Sequence, residues 1–238
     1  QDKTADPALK LSMSRWSAPG ILVFSLTITF ASFDWLMSLS PKWASTIYGV
    51  YFFAGSVLAG VAVIILVSMT VSKSGDVGEA ITAEHFHNLG KFLFGFVVFW
   101  AYIAFSQLLL IWMAGFPEET RYFLDRWLAP GWRTCSYILL FGHFILPFLY
   151  LLPRPIKRCR PTLAIGAIWM LAIHYFDIFY LVLPAYDSQH VAFSLHEPLL
   201  GFGILLIAMS AVFMSLQRAA LLPKRDPYLP YSETFENF

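Results

Sequence analysis

His174 and Asp177 stand three residues apart in the string HYFD, inside an otherwise apolar run. On a helix that spacing sets both side chains on one face. An imidazole titrates near neutrality, so a carboxylate beside it can take a proton from it or hand one on. Asp34 lies in a second apolar run, FASFDWLMSL, and Thr27 and Ser38 share its helical face. His143 sits next to Gly142 in a third. A fourth run carries Lys91 at one end and Tyr102, Ser106 and Gln107 further along, and it leads to Glu118 and Glu119 just after Pro117. Glu84 and His87 precede Lys91 at the mouth of the same run.

An ionisable group at bilayer depth costs about 2.5–3.5 kcal/mol on insertion scales, so it faces protein or a water path. Two uses fit these residues. Asp34, His174, Asp177, His143, Tyr102, Ser106, Gln107, Lys91, Glu118 and Glu119 can line a proton path, entering by Glu84 and His87 and leaving by the acids. Taken singly, each has a plainer role: Asp34 as an interhelical tie, Lys91 snorkelling to headgroups, and the two glutamates favouring a helix dipole. His143 and His174 are also the only deep histidines, which leaves a b-type haem open. An ion-coupled secondary transporter stays open as well, although no internal repeat is visible.

The elements that must position these groups follow from composition. Of the 238 residues 58% are hydrophobic and 13% charged, and mean hydropathy is +0.64, against roughly 25% charged in soluble domains. A crossing needs about 20 apolar residues, and six runs qualify: 17–39, 44–71, 87–114, 132–152, 162–185 and 196–222. Only helices or closed barrels satisfy their backbone in lipid, and these runs are too long for barrel strands. The expected fold is an all-α polytopic transmembrane helical bundle, with a polar segment 1–16 before it and a tail 223–238 after it.

Lys3, Lys10, Arg15, Lys73, Lys91, Arg154, Lys157, Arg158, Arg160, Arg218, Lys224 and Arg225 fall on one side. Lys42, Arg121, Arg126 and Arg133 fall on the other, so the positive-inside rule predicts that both ends of the chain are cytoplasmic. Nucleic acid is set aside as a partner: the net charge of +1 argues neither way, and no basic tract interleaves with aromatics. Cys135 and Cys159 fall on opposite sides of a span, so no disulfide joins them, and no cysteine cluster offers this chain an iron–sulfur centre. Any redox centre is expected in a partner. The start QDKTADPALK reads as an internal point of a longer subunit.

Four strings carry a resemblance: SFDWLMSLSPKWASTIYGVYFFAGS, HFHNLGKFLFGFVVFWAYIAFSQLLLIWMAGFPEET, HYFDIFYLVLPA and RDPYLPYSETFEN. Over nearly the whole chain from about Ser14 they resemble the large membrane subunits of alternative complex III, of the NrfD or polysulfide-reductase membrane-subunit family. The resemblance implies a later part of such a subunit: a second four-helix bundle plus flanking helices in a bacterial inner membrane. It implies a quinol:cytochrome c or quinol:oxidase oxidoreductase complex, with proton movement through half-paths of buried acids and histidines. Family descriptions often term the subunit quinone-binding. The implied partners are a sister NrfD-like membrane subunit, an iron–sulfur subunit, haem c subunits, small membrane subunits, lipids and a terminal oxidase. Quinol, ubiquinol or menaquinol, serves the complex, iron–sulfur clusters and haem c sit in partners, and this chain is expected to bind no cofactor and no metal. Asp34, His174, Asp177, Ser106, Gln107, Glu118 and Glu119 are the positions that match the family strings.

Overall fold

The computed structural model describes residues 6–73, 75–191, 194–218, 221–226 and 228–236; Lys3 and parts of the segments 1–16 and 223–238 lie outside them. The described residues contain helices and no strand. The chain is an all-α bundle, and six of the described helices are long and apolar enough to cross a membrane.

Helix α1 runs Pro7–Trp35, ten residues ahead of the expected start at 17. Asp6 accepts from the Ala8 N–H at 2.8 Å, and Pro7 occupies the first turn where its missing N–H costs nothing. Helix α2 spans Tyr48–Val71, short α3 Gly75–Ala80, and α4 Ala83–Ala114. Thr82 and His85 form a reciprocal capping box that starts α4 four residues before the expected 87. Gly115 ends it in the left-handed conformation (φ 67°), returning its N–H to the Ile111 carbonyl.

The stretch expected as a loop, 115–131, is largely helix α5, Pro117–Leu128. Pro117 opens it and Glu118 and Glu119 fill its first turn, as the helix dipole favours. The fourth span is broken into α6 (Pro130–Leu139), a π-helical turn Leu140–Ile145 and α7 (Leu146–Leu151). Pro147 explains the break, because it cannot donate to a carbonyl of the preceding turn. The Leu146 N–H reaches back to Phe141 instead, and the orphaned Gly142 carbonyl accepts from Trp169 Nε1 at 2.7 Å.

Short α8 (Arg154–Arg158) leads into α9 (Arg160–Val182), continued by a 3₁₀ turn Leu183–Ala185, and α10 covers His196–Gln217, short of the expected 222. Near the chain end α11, Leu229–Glu233, packs on α3. Lys10 lies over the Tyr228 ring and 3.8 Å from Asp226, so both ends of the described chain meet at the face that also carries Arg154–Arg160. We refer to it as the basic face.

The core lies among α2, α4, α6–α7 and α9, with α1 packed on α2. Its half nearer the basic face is apolar throughout: Leu58, Ile65, Leu93, Val97, Leu163 and Met170 are wholly buried there. The other half is aromatic, built on Trp43, Tyr48, Tyr51, Trp100 and Tyr122. Gly55 brings α2 against α9, where a Cβ would stand 2.5 Å from His174 Cε1; small residues permit such close approach between membrane helices. Cys135 and Cys159 are both free thiols.

Candidate functional site

The fifth span delivers Asp177 into the aromatic half of the core, where it is 1% exposed. Tyr51 of α2 donates its hydroxyl to Oδ1 at 2.5 Å, and Trp100 of α4 donates Nε1 to Oδ2 at 3.2 Å. Three helices are thus tied at one carboxylate. His174, one turn earlier on α9, places Nδ1 3.8 Å from Oδ2, too long for a hydrogen bond but close enough for a proton to pass after a small ring movement. His143, held by the π-helical turn, is completely buried. Its ring stacks on Trp100 at 3.7 Å and meets the His174 ring edge-on at 6.0 Å.

Neither ring nitrogen of His143, nor Nδ1 of His174, has a hydrogen-bond partner among the described residues. Buried polar groups are nearly always paired, so a nitrogen without a protein partner is open to a water, an ion or a proton. These imidazoles can accept or release a proton without breaking an existing bond.

No protein-family model matches this chain, and no curated protein does. The site therefore stands on its own geometry.

His143, His174 and Asp177 each offer a ligand atom, all within 4.8 Å of one another. Tetrahedral ligation at about 2.0–2.2 Å needs ligand atoms roughly 3.3–3.5 Å apart, and both Asp177 oxygens already accept from Tyr51 and Trp100. A divalent cation would have to draw the ligands together, and a proton would need a small ring movement of His174. A porphyrin between the two imidazoles would have to displace Trp100 from the face of His143 and part the Gly55 backbone from His174.

The structure brings together His143, His174 and Asp177, and leaves the other expected residues apart. Asp34 is exposed in the last turn of α1, where its backbone carbonyl accepts from Ser38. Tyr102 is 65% exposed on the outer side of α4. Ser106 is half-buried, and Gln107 is buried with no partner for Nε2. Glu118 is exposed and Glu119 half-buried at the start of α5. Lys91 is exposed and lines a groove with Asn88, Phe92, Phe96 and Phe53.

At the basic face Glu84 pairs with Arg158 and lies 3.7 Å from the buried His87. Along α4, His87 and Trp100 are 13 residues apart, about 20 Å at 1.5 Å per residue, and the apolar half of the core fills that distance. Lys157 is buried here and donates to the carbonyls of Leu151, Leu152 and Pro153, closing the end of the fourth span; burial pulls its ammonium below the ordinary lysine value.

Sequence reasoning gave Tyr51 and Trp100 no role, and Arg126 served only in the charge count. No spacing rule links Tyr51 or Trp100 to Asp177, because each lies on a different helix. Arg126 carried a local signal: with Tyr122 four residues earlier it shares a helical face in PEETRYFLDRWL.

Proposed function

We propose that this chain is an integral membrane subunit of a bacterial respiratory quinol:cytochrome c or quinol:oxidase oxidoreductase of the alternative complex III type, in which it moves protons across part of the membrane. It carries no redox chemistry alone; quinol oxidation and electron transfer belong to the assembled complex with its iron–sulfur and haem c subunits. Both chain ends face the cytoplasm, so the basic face is the inner one and Asp177 lies in the outer half of the bilayer.

The observation that carries the reading is the buried carboxylate of Asp177, tied to Tyr51 and Trp100 and flanked by two imidazoles with unpaired nitrogens. A carboxylate held only as a helix tie needs no histidines beside it; one that exchanges protons does. In the relay a proton on His174 or His143 passes to Oδ2 of Asp177, while Tyr51 keeps its hydroxyl proton and goes on donating to Oδ1. Trp100 fixes the carboxylate plane and covers His143. The apolar half of the core separates this group from His87 and Glu84, so the relay is an outer half-path.

The test is Asp177→Asn in the intact complex, purified through a tag on this chain. Asparagine keeps the shape, its oxygen can accept from Trp100 and its amide can donate to the Tyr51 hydroxyl, so assembly, c-haem and iron content are expected to persist. Protons translocated per electron should fall well below the wild-type ratio while quinol oxidation continues. Equal loss of both in an assembled complex refutes the proton role, and isolation of the chain without haem or iron partners refutes the complex assignment.

A further inference from the structure

Arg126 is the one described arginine that the fold buries almost completely, at 2% exposure. Among the described residues no carboxylate lies within ion-pair reach of it, while Asp125 of the same helix pairs at 2.9 Å with Arg121 on the exposed side. Its Nη1 donates to the Tyr122 carbonyl at 3.0 Å and Nη2 to the Leu181 carbonyl at 3.2 Å; Nε has no partner. The guanidinium lies 3.5 Å from the centre of the Tyr122 ring and 5.4 Å from that of Tyr180. Trp43 stacks on the Tyr122 ring, with centroids 3.8 Å apart and the planes 11° from parallel. Behind it Tyr48 and Tyr51 stack toward the carboxylate.

Position gives this buried charge a use. Leu181 is four residues after Asp177 on α9, so the guanidinium bonded to its carbonyl sits more than one helical turn, beyond about 6 Å, past the carboxylate toward the face opposite the basic one. A cation at a helix C-terminus is favourable, but capping alone would be served by an exposed lysine. Burying the charge without a counter-ion is costly, and a fixed arginine at a constriction is a general device for excluding protons and cations.

We propose that Arg126, carried by α5 as a lid, is the outer gate of the Asp177 compartment: a fixed positive charge that keeps hydronium from entering the site from the outside. This rests on the relay reading above. With the apolar core on one side and Arg126 with the Trp43–Tyr122 stack on the other, the structure is the closed form, and outward release requires α5 to shift so that Arg126 leaves the Leu181 carbonyl.

The test is hydrogen–deuterium exchange of the Asp177 carboxyl in the intact protein in liposomes, transferred into acidic D2O and read by infrared as the difference between each protein and its Asp177→Asn counterpart; this reports access to the compartment from outside and needs no passage through the apolar core. Arg126→Gln and Arg126→Met are expected to exchange roughly tenfold or more faster than wild type, as loss of a unit charge near the site in a low dielectric implies. Arg126→Lys, which keeps the charge, should exchange as slowly as wild type. Wild-type exchange in both neutral variants, each shown monodisperse and folded, overturns the gate, as does exchange in Arg126→Lys as fast as in Arg126→Gln. If the gate fails in this way while Asp177→Asn still lowers proton translocation, the relay reading survives.

Discussion

Gly55→Ala measures how tightly the site is locked between α2 and α9. The added Cβ would stand 2.5 Å from His174 Cε1 and 3.0 Å from Nδ1, about an ångström inside ordinary contact. His174 cannot simply retreat, since His143 lies on one side and Asp177 on the other. The helices must part or the imidazole must leave its rotamer, and overpacking of this kind costs about 1–3 kcal/mol. Truncating the obstacle reverses the sign: in a His174→Ala background the methyl enters space that the ring has vacated, so the same substitution should cost under about 0.5 kcal/mol or stabilise. The coupling between the two sites is therefore expected at about 0.5–3 kcal/mol, the range of residues in direct contact. Four proteins suffice, unfolded reversibly in mixed micelles by increasing SDS and followed by tryptophan fluorescence. Additive losses, with coupling below about 0.5 kcal/mol, would mean that α2 and α9 do not meet at His174 and would refute the packing on which the site rests.

Other outcomes follow from single contacts. Trp169→Phe removes the donor to the Gly142 carbonyl in the π-helical turn; interhelical bonds in membranes contribute about 0.6 kcal/mol on average and up to about 1.7, so a loss of about 1–2 kcal/mol in the same unfolding assay is expected, including some lost ring volume. Burial pushes the Tyr122 hydroxyl up, with Arg126 offsetting part of the effect. A group raised in the folded state stabilises fully below its unfolded value, about pH 10 for tyrosine, and loses that contribution as pH rises further. Tyrosinate absorbance of wild type minus Tyr122→Phe should therefore develop above pH 10 and coincide with declining stability; ionisation of Tyr122 at pH 10 in the folded protein would contradict its burial.

Much of the architecture was legible because lipid leaves few choices. Continuous apolar length gave the six spans, and local chemistry moved several of their ends: Asp6 and Pro7 at the first, the Thr82–His85 box at the third, with Pro147 breaking the fourth. The pair His174 and Asp177 was readable from spacing, since both ride on one helix. What spacing could not supply was the partner across a helix interface. Tyr51, Trp100 and His143 join Asp177 through tertiary packing alone, and Asp34, equally prominent as a charge in an apolar run, falls on the exposed side of α1, which only the packing of α1 on α2 decides.

Helix α10 contributes no buried residue among those described and touches the rest of the chain chiefly where Tyr175 meets Gly201 and donates to the Glu197 carbonyl. During synthesis such a segment can partition into the bilayer on its own hydrophobicity, without waiting for neighbours. The segments bearing His143 and Asp177 are in the opposite position, because their polar groups find partners only once α2 and α4 are beside them. Biogenesis therefore has a built-in order of dependence: Asp177 sets a folding checkpoint inside the membrane, and α10, although made later, is the helix least bound by it.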